Sequence, residues 1–236
     1  MVRLILVRHG QTHSNVGHHL DTAEPGADLT DLGRAQADAL VETLGDAGIG
    51  ALYASTLVRT QQTAAPLARA LELPVQVRRE IREIGAGSLE MSNHHEDVQT
   101  YLRIALGWID GDLSTRMPDG EEDGAQTLAR FDGVVAEAAE SGAEVAALVT
   151  HGAMIRVWVA ARARNAHARD VAYAPVSNTG AAVLVGEPGE WHLERWHEPA
   201  LGGPELADPT SDGAAAEVVE PPQGEAVTEE AAPPAR

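Results

Sequence analysis

Apolar residues along this chain recur in two rhythms. Short unbroken runs, such as Leu4-Ile5-Leu6-Val7 and Val145 to Val149, predict strands covered on both faces. Further short strands are expected at 51–55, 75–81, 181–186 and 191–197. Between them the apolar residues return every three to four positions, as in Leu32, Ala35, Leu40 and Leu44. That spacing predicts helices over 31–47, 57–71, 94–110, 121–141 and 153–164. Thr30 is a good N-cap for the first, Ser55 or Thr56 for the second, and Gly48 can end the first. The expected architecture is a three-layer α/β/α sandwich with a mostly parallel central sheet. Residues 88–120 read as an insertion that partly covers the strand ends.

Two of these strands end alike. The first runs into Arg8-His9-Gly10, and the run from Glu144 to Thr150 runs into His151-Gly152. Open α/β sheets bind ligands beyond the carboxyl ends of their strands. Two strands that each finish in His-Gly can therefore bring two imidazoles to one pocket. Gly10 is read here as the point where backbone turns and approaches a ligand. An imidazole that attacks phosphorus needs a neutral ring and cations around the phosphoryl oxygens. Arg8 can supply one of those cations, because a guanidinium fork matches phosphate geometry.

Composition narrows the chemistry. The chain has 236 residues, enough for one α/β domain, and no cysteine, so thiolate metal sites and cysteine nucleophiles are excluded. All seventeen basic residues are arginine. The formal net charge of −19 argues against nucleic acid or an anionic membrane as partner. No apolar run is long enough for a membrane span, and the N-terminus enters a strand without a signal-peptide pattern, so a cytoplasmic location is expected. From 199 onward the chain is rich in Pro, Glu, Ala and Gly. A catalytic domain over 1–198 and an acidic disordered tail over 199–236 are expected. Composition sets no oligomeric state, and a dimer is compatible with it.

The sequence also carries an ordered set of motifs. LILVRHGQTHSN at 4–15 resembles the Arg-His-Gly signature of the histidine phosphatase superfamily, which includes cofactor-dependent phosphoglycerate mutases. LTDLGRAQA at 29–37, ASTLVRTQQTA at 54–64, IREIGAGSLE at 81–90, PDGEE at 118–122 and LVTHGAMIR at 148–156 are similar to its later motifs, in the same order. The resemblance implies a phosphoglycerate mutase-like fold and a small-molecule phosphate ester as substrate. It implies His9 as the nucleophile that becomes phosphohistidine. It implies Arg8, Arg59 and His151 as the phosphate pocket, Asn15 as an auxiliary phosphate contact and Glu83 as the acid and then the base.

The implied activity is phosphomonoester hydrolysis with no metal and no organic cofactor. A phosphoglycerate mutase is the runner-up. A mutase must keep water from its phosphoenzyme, which calls for a larger closing insertion than 88–120. A phospho-ligand-binding module without catalysis is the third reading, and the complete motif set argues against it. Two positions depart from the family pattern: Glu122 stands for the Ser after Gly-Glu, and Met91 for the Gly after the loop's Glu90. Both fall where substrate contacts are expected. The pairs His18-His19 and His94-His95 are read as pocket-mouth or surface residues and not as metal ligands.

Overall fold

The computed structural model describes residues 1–208 and Gly213. Six strands form one sheet: β1 (Val2–Arg8), β2 (Ile49–Ala54), β3 (Val75–Val77), β4 (Val145–Thr150), β5 (Ala181–Gly186) and β6 (His192–His197), in the order β3-β2-β4-β1-β5-β6. β1, β2, β3 and β4 are mutually parallel, and β5 runs antiparallel to both β1 and β6. The expected three-layer sandwich with a mostly parallel sheet is the fold observed.

Strand alternation sorts β1 between two cores. Leu4 and Leu6 face one side with Leu148, Phe131 and Trp158, while Ile5 and Val7 face the other with Leu52, Val149, Leu40 and Leu67. Both sets are buried, which is why the run reads as continuously apolar. On the second side lie α2 (Asp31–Leu44) and α3 (Val58–Leu71). On the first lie α4 (His95–Gly107), α5 (Gly124–Glu140) and α6 (Gly152–Arg162). Two short helices complete the set, α1 (His13–Val16) and α7 (Ala168–Tyr173). The expected insertion at 88–120 contributes α4, which buries Val98, Leu102 and Ala105 in the core and carries Tyr101 to the pocket wall.

Several local expectations are corrected. Strand β3 stops at Val77 because β2, its neighbour, offers partners only up to Ala54, and the chain turns through a 3-10 segment, Arg79–Ile81. Helix α5 begins at Gly124 and not at 121, because Asp123 and Gln126 form a reciprocal capping box there. Neither Ser55 nor Thr56 caps α3. Leu57 occupies the cap position, and the Ser55 hydroxyl is engaged elsewhere. Gly10 serves helix packing: a Cβ there would sit 2.6 Å from the Gly33 carbonyl oxygen of α2. The reciprocal position is as tight, since a Cβ on Gly33 would lie 2.1 Å from the Gln11 carbonyl oxygen.

The chain also stays packed past 198. Ala200 is buried, Leu201 donates its N–H to the Thr179 carbonyl, and Gln36 of α2 donates Nε2 to the Leu206 carbonyl at 2.8 Å. Asp208 accepts from Gln11 Nε2 at 3.1 Å. Residues 199–208 are poor in large apolar residues and are held by these polar contacts. Apart from Gly213, the rest of the acidic tail lies outside the described residues. Among the described residues no helix is long and apolar enough to cross a membrane.

Candidate active site

Register places the site. β1 pairs with β4 so that Arg8 lies opposite Thr150, and the residue after each strand is a histidine. The His9 N–H donates to the Thr150 carbonyl at 3.0 Å. The His9 and His151 rings lie 5.3 Å apart, edge to face. The two strand ends bring the imidazoles together, but of the two only His9 lines the pocket described below.

The tautomer of His9 follows from its partner. Its Nδ1 lies 2.8 Å from the Gly10 carbonyl oxygen, which can only accept, so Nδ1 carries the proton. Burial, reinforced by Arg59 and Arg8, holds the His9 pKa well below its ordinary value. The ring is therefore neutral, with its lone pair on Nε2. That is the form a nucleophile requires.

His151 is fixed by a different chain. Arg59 Nη2 can only donate, so His151 Nδ1, at 3.2 Å, accepts. Nε2 then carries the proton and donates to the Ser55 hydroxyl at 2.8 Å. Ser55 lies 2.9 Å from the Thr60 hydroxyl, which also sits within reach of the Leu57 carbonyl. Burial, with Arg59 next, keeps the His151 pKa well below its ordinary value.

Arg59 enters from the first turn of α3 and is 3% exposed. Its Nη2 donates to the Asp21 carbonyl at 2.8 Å, and Nη1 lies 3.6 Å from the Asp21 carboxylate. Among the described residues Nε and Nη1 have no hydrogen-bond partner. A buried guanidinium with unmet donors is a strong anion seat, because leaving such donors unmet is costly. Arg8 is buried beside it and donates Nη1 to the Val176 carbonyl at 2.7 Å.

Glu83 closes the other side. Its carboxyl caps α6: Oε1 accepts from the N–H groups of Ile84 at 2.9 Å and Met154 at 3.0 Å, and Oε2 from Ala153 at 3.2 Å. These donors and Arg59 favour the anion, but burial outweighs them and raises the pKa. A carboxyl so placed can hold a proton nearer neutrality than a solvated one. Asn15 accepts through Oδ1 from the Thr12 N–H at 3.0 Å and from Asn178 Nδ2 at 3.2 Å, so its own amide Nδ2 is the group it can offer to an anion. Arg8, His9, Asn15, Arg59 and Glu83 line one small pocket of about 40 Å³. His151 stands behind Arg59 and does not line it.

The sequence reading missed four supporting groups. Asp21 tethers Arg59 and also accepts from the Ser14 hydroxyl at 2.7 Å. Asn178 donates to the His9 carbonyl at 3.0 Å, and Ser55 orients His151. Tyr101 lines the pocket and donates its hydroxyl to the Ile84 carbonyl at 2.9 Å. Asp21 and Asn178 lie in loops without periodicity, where only proximity marks a role. Among the described residues no group of three or more His, Asp or Glu side chains could hold a metal ion.

Comparison with known proteins accords with this geometry. The model of the histidine phosphatase superfamily (branch 1) matches residues 4–199. The PE-PGRS family protein PE_PGRS11 of Mycobacterium tuberculosis is 34% identical over 208 residues, covering 80% of this chain and 35% of that protein. The chain thus spans about a third of that relative's length. Glucosyl-3-phosphoglycerate phosphatase of the same species is 30% identical over 215 residues, covering 84% of this chain and 95% of the relative. The solved structure of the mycobacterial glucosyl-3-phosphoglycerate phosphatase with VO3 aligns with a TM-score of 0.70 at 29% identity, covering 84% of this chain and 99% of that one. The motif order read from the sequence, the strand-end histidines and a family match through nearly the whole described chain agree, and the chain belongs to the histidine phosphatase superfamily.

Proposed function

We propose that this enzyme hydrolyses phosphomonoesters of small metabolites through a phosphohistidine on His9. The observation that carries the reading is the pairing of a neutral His9, its Nε2 lone pair set by the Gly10 carbonyl, with a buried Arg59 whose Nε and Nη1 lack hydrogen-bond partners among the described residues. In-line attack by Nε2 moves the phosphoryl group onto His9 while Arg8 and Arg59 hold its equatorial oxygens. Glu83 gives its proton to the leaving oxygen. It then takes a proton from the water that attacks the phosphohistidine, and inorganic phosphate leaves. His151, with its proton held on Nε2, keeps Arg59 aimed at the phosphate.

The two guanidiniums supply the positive charge that a metal would otherwise bring, so the reaction runs without one. Small soluble phosphate esters met in the cytoplasm are the expected substrates. The relatives named as phosphatases support hydrolysis over the mutase reading, as does the modest insertion at 88–120.

The test is direct. Wild-type enzyme mixed with para-nitrophenyl phosphate in the presence of EDTA and quenched without acid should carry phosphate on His9, and His9→Ala should be unlabelled and inactive. Label on another residue, activity in the variant, or loss on chelation with recovery by a divalent ion overturns the reading.

A further inference from the structure

The phosphate pocket opens beside a second, larger cavity of about 510 Å³. Thr22 lines both, and the larger one continues from Ile84, the neighbour of Glu83. In an in-line displacement the leaving group departs opposite the attacking nitrogen, within reach of the acid that protonates it. Arg59, buried and with hydrogen-bond donors unmet, anchors the phosphoryl end in the smaller pocket. The leaving group of a bound ester therefore extends into the larger cavity.

The walls of that cavity carry both positive charges already paired. Arg82 Nη2 lies 2.7 Å from Glu122, which also takes Arg130 Nε at 2.9 Å. Arg79 Nε lies 3.3 Å from Glu24. Glu90 is likewise spent, accepting from the Thr22 N–H at 2.9 Å, the Thr22 hydroxyl at 2.5 Å and the Ala23 N–H at 3.0 Å. Asp119 and Glu121 differ. Both are exposed on the wall, and among the described residues neither carboxylate takes a hydrogen bond or an ion pair. They are acceptors with negative charge, suited to hydroxyl donors and repelling a second anion.

Building on the hydrolase reading above, we infer that the leaving group is uncharged and hydroxyl-rich, a polyol or sugar whose O–H groups donate to Asp119 and Glu121, and does not carry a second carboxylate or phosphate. Glu122, at the position that departs from the family's Ser, takes part by engaging Arg82 Nη2, a donor that would otherwise be open to such an anion.

Two matched pairs of esters test this, each differing only by a CH2OH in place of a carboxylate: glycerol 3-phosphate against 3-phosphoglycerate, and sorbitol 6-phosphate against 6-phosphogluconate. Wild-type enzyme at low ionic strength should show a kcat/KM at least tenfold higher for the polyol member of each pair. The ratio should narrow with added KCl, and at least threefold in D119N/E121Q. Asn tolerates the left-handed backbone of Asp119 (φ 53°), so the double variant keeps the loop. A smaller or reversed preference in wild type, or a ratio unmoved by both salt and substitution, overturns the inference. Continued turnover of para-nitrophenyl phosphate through His9 would then leave the hydrolase reading standing. Failure of that turnover overturns both.

Discussion

Arg130 of α5 donates Nη2 to the backbone carbonyl of Glu83 at 3.0 Å. Its Nη1 reaches the carbonyls of Glu80 and of Arg82, the latter at 2.9 Å. One guanidinium thus pins the backbone that carries Glu83, the proposed acid. Arg130→Ala should leave Glu83 present but loosely placed. Activity toward an alkyl phosphate should fall about tenfold to a hundredfold, while para-nitrophenyl phosphate, whose leaving group needs no proton, falls far less. An equal fall on both esters would show that Arg130 matters only for folding.

Glu83→Gln tests the acid itself. The substitution keeps the size and removes the carboxyl proton. Because general acid catalysis contributes about 10²–10⁴-fold, single-turnover phosphorylation by an alkyl ester should slow by that order, and by much less with para-nitrophenyl phosphate. Equal losses would remove Glu83 from the role. Glu90 is then a poor substitute, since both its carboxylate oxygens already accept from Thr22 and Ala23.

Ser55 is a positioning residue. Ser55→Ala leaves the buried Nε2–H of His151 without an acceptor, at a cost of about 1–3 kcal/mol by urea denaturation. The ring can then present the other tautomer to Arg59, so inhibition by the product phosphate should weaken more than kcat falls. Unchanged phosphate affinity would contradict the chain from Thr60 to Arg59.

The two site histidines set an acid limit on stability. Both have folded pKa values well below 6.5. Once unfolded, each returns to about 6.5 and takes up a proton that the folded state refuses, so their contribution is intact above that pH and is lost as pH falls from it toward the lowered folded values. Glu83, raised by burial, works in the opposite sense in the carboxylate range. Urea midpoints at pH 7.5, 6.5 and 5.5 should fall more steeply for wild type than for His9→Asn. Parallel slopes would mean that His9 is not held neutral.

Truncation after Gly203 should lower stability by about 1–2 kcal/mol, because it removes two hydrogen-bonding partners, the Leu206 carbonyl of Gln36 and the Asp208 carboxylate of Gln11. An unchanged melting temperature would show that this stretch only rests on the surface.

How much of this was readable beforehand depended on how far each feature repeats. Leu4 to Val7 and Val145 to Thr150 announce themselves because apolar runs and strand ends are local signals. Thr30 was legible as a cap because Gly33, three residues on, supplies the donor. Helices α1 and α7 were missed because four and six residues are too few to show a helical period. Ser55 was misread because a hydroxyl before a helix is equally suited to capping, and only the fold brings His151 to it. His9, Arg8, Arg59, Glu83 and His151 were named from motif resemblance, whereas Asp21 and Asn178 required the tertiary contacts.

Strand β1 has a further consequence, for how the molecule comes into being. Both its hydrogen-bonded neighbours lie far along the chain, β4 at 145–150 and β5 at 181–186. During synthesis Leu4 to Val7 has no sheet partner until β4, at 145–150, has been made. Pairings so distant in sequence form slowly and leave apolar edge exposed in the interval. His9 and His151 sit at the β1–β4 seam, so on the proposed mechanism turnover begins only when that pairing has formed. Activity regained after dilution from denaturant therefore times β1–β4 docking, and it should lag behind the recovery of helical signal.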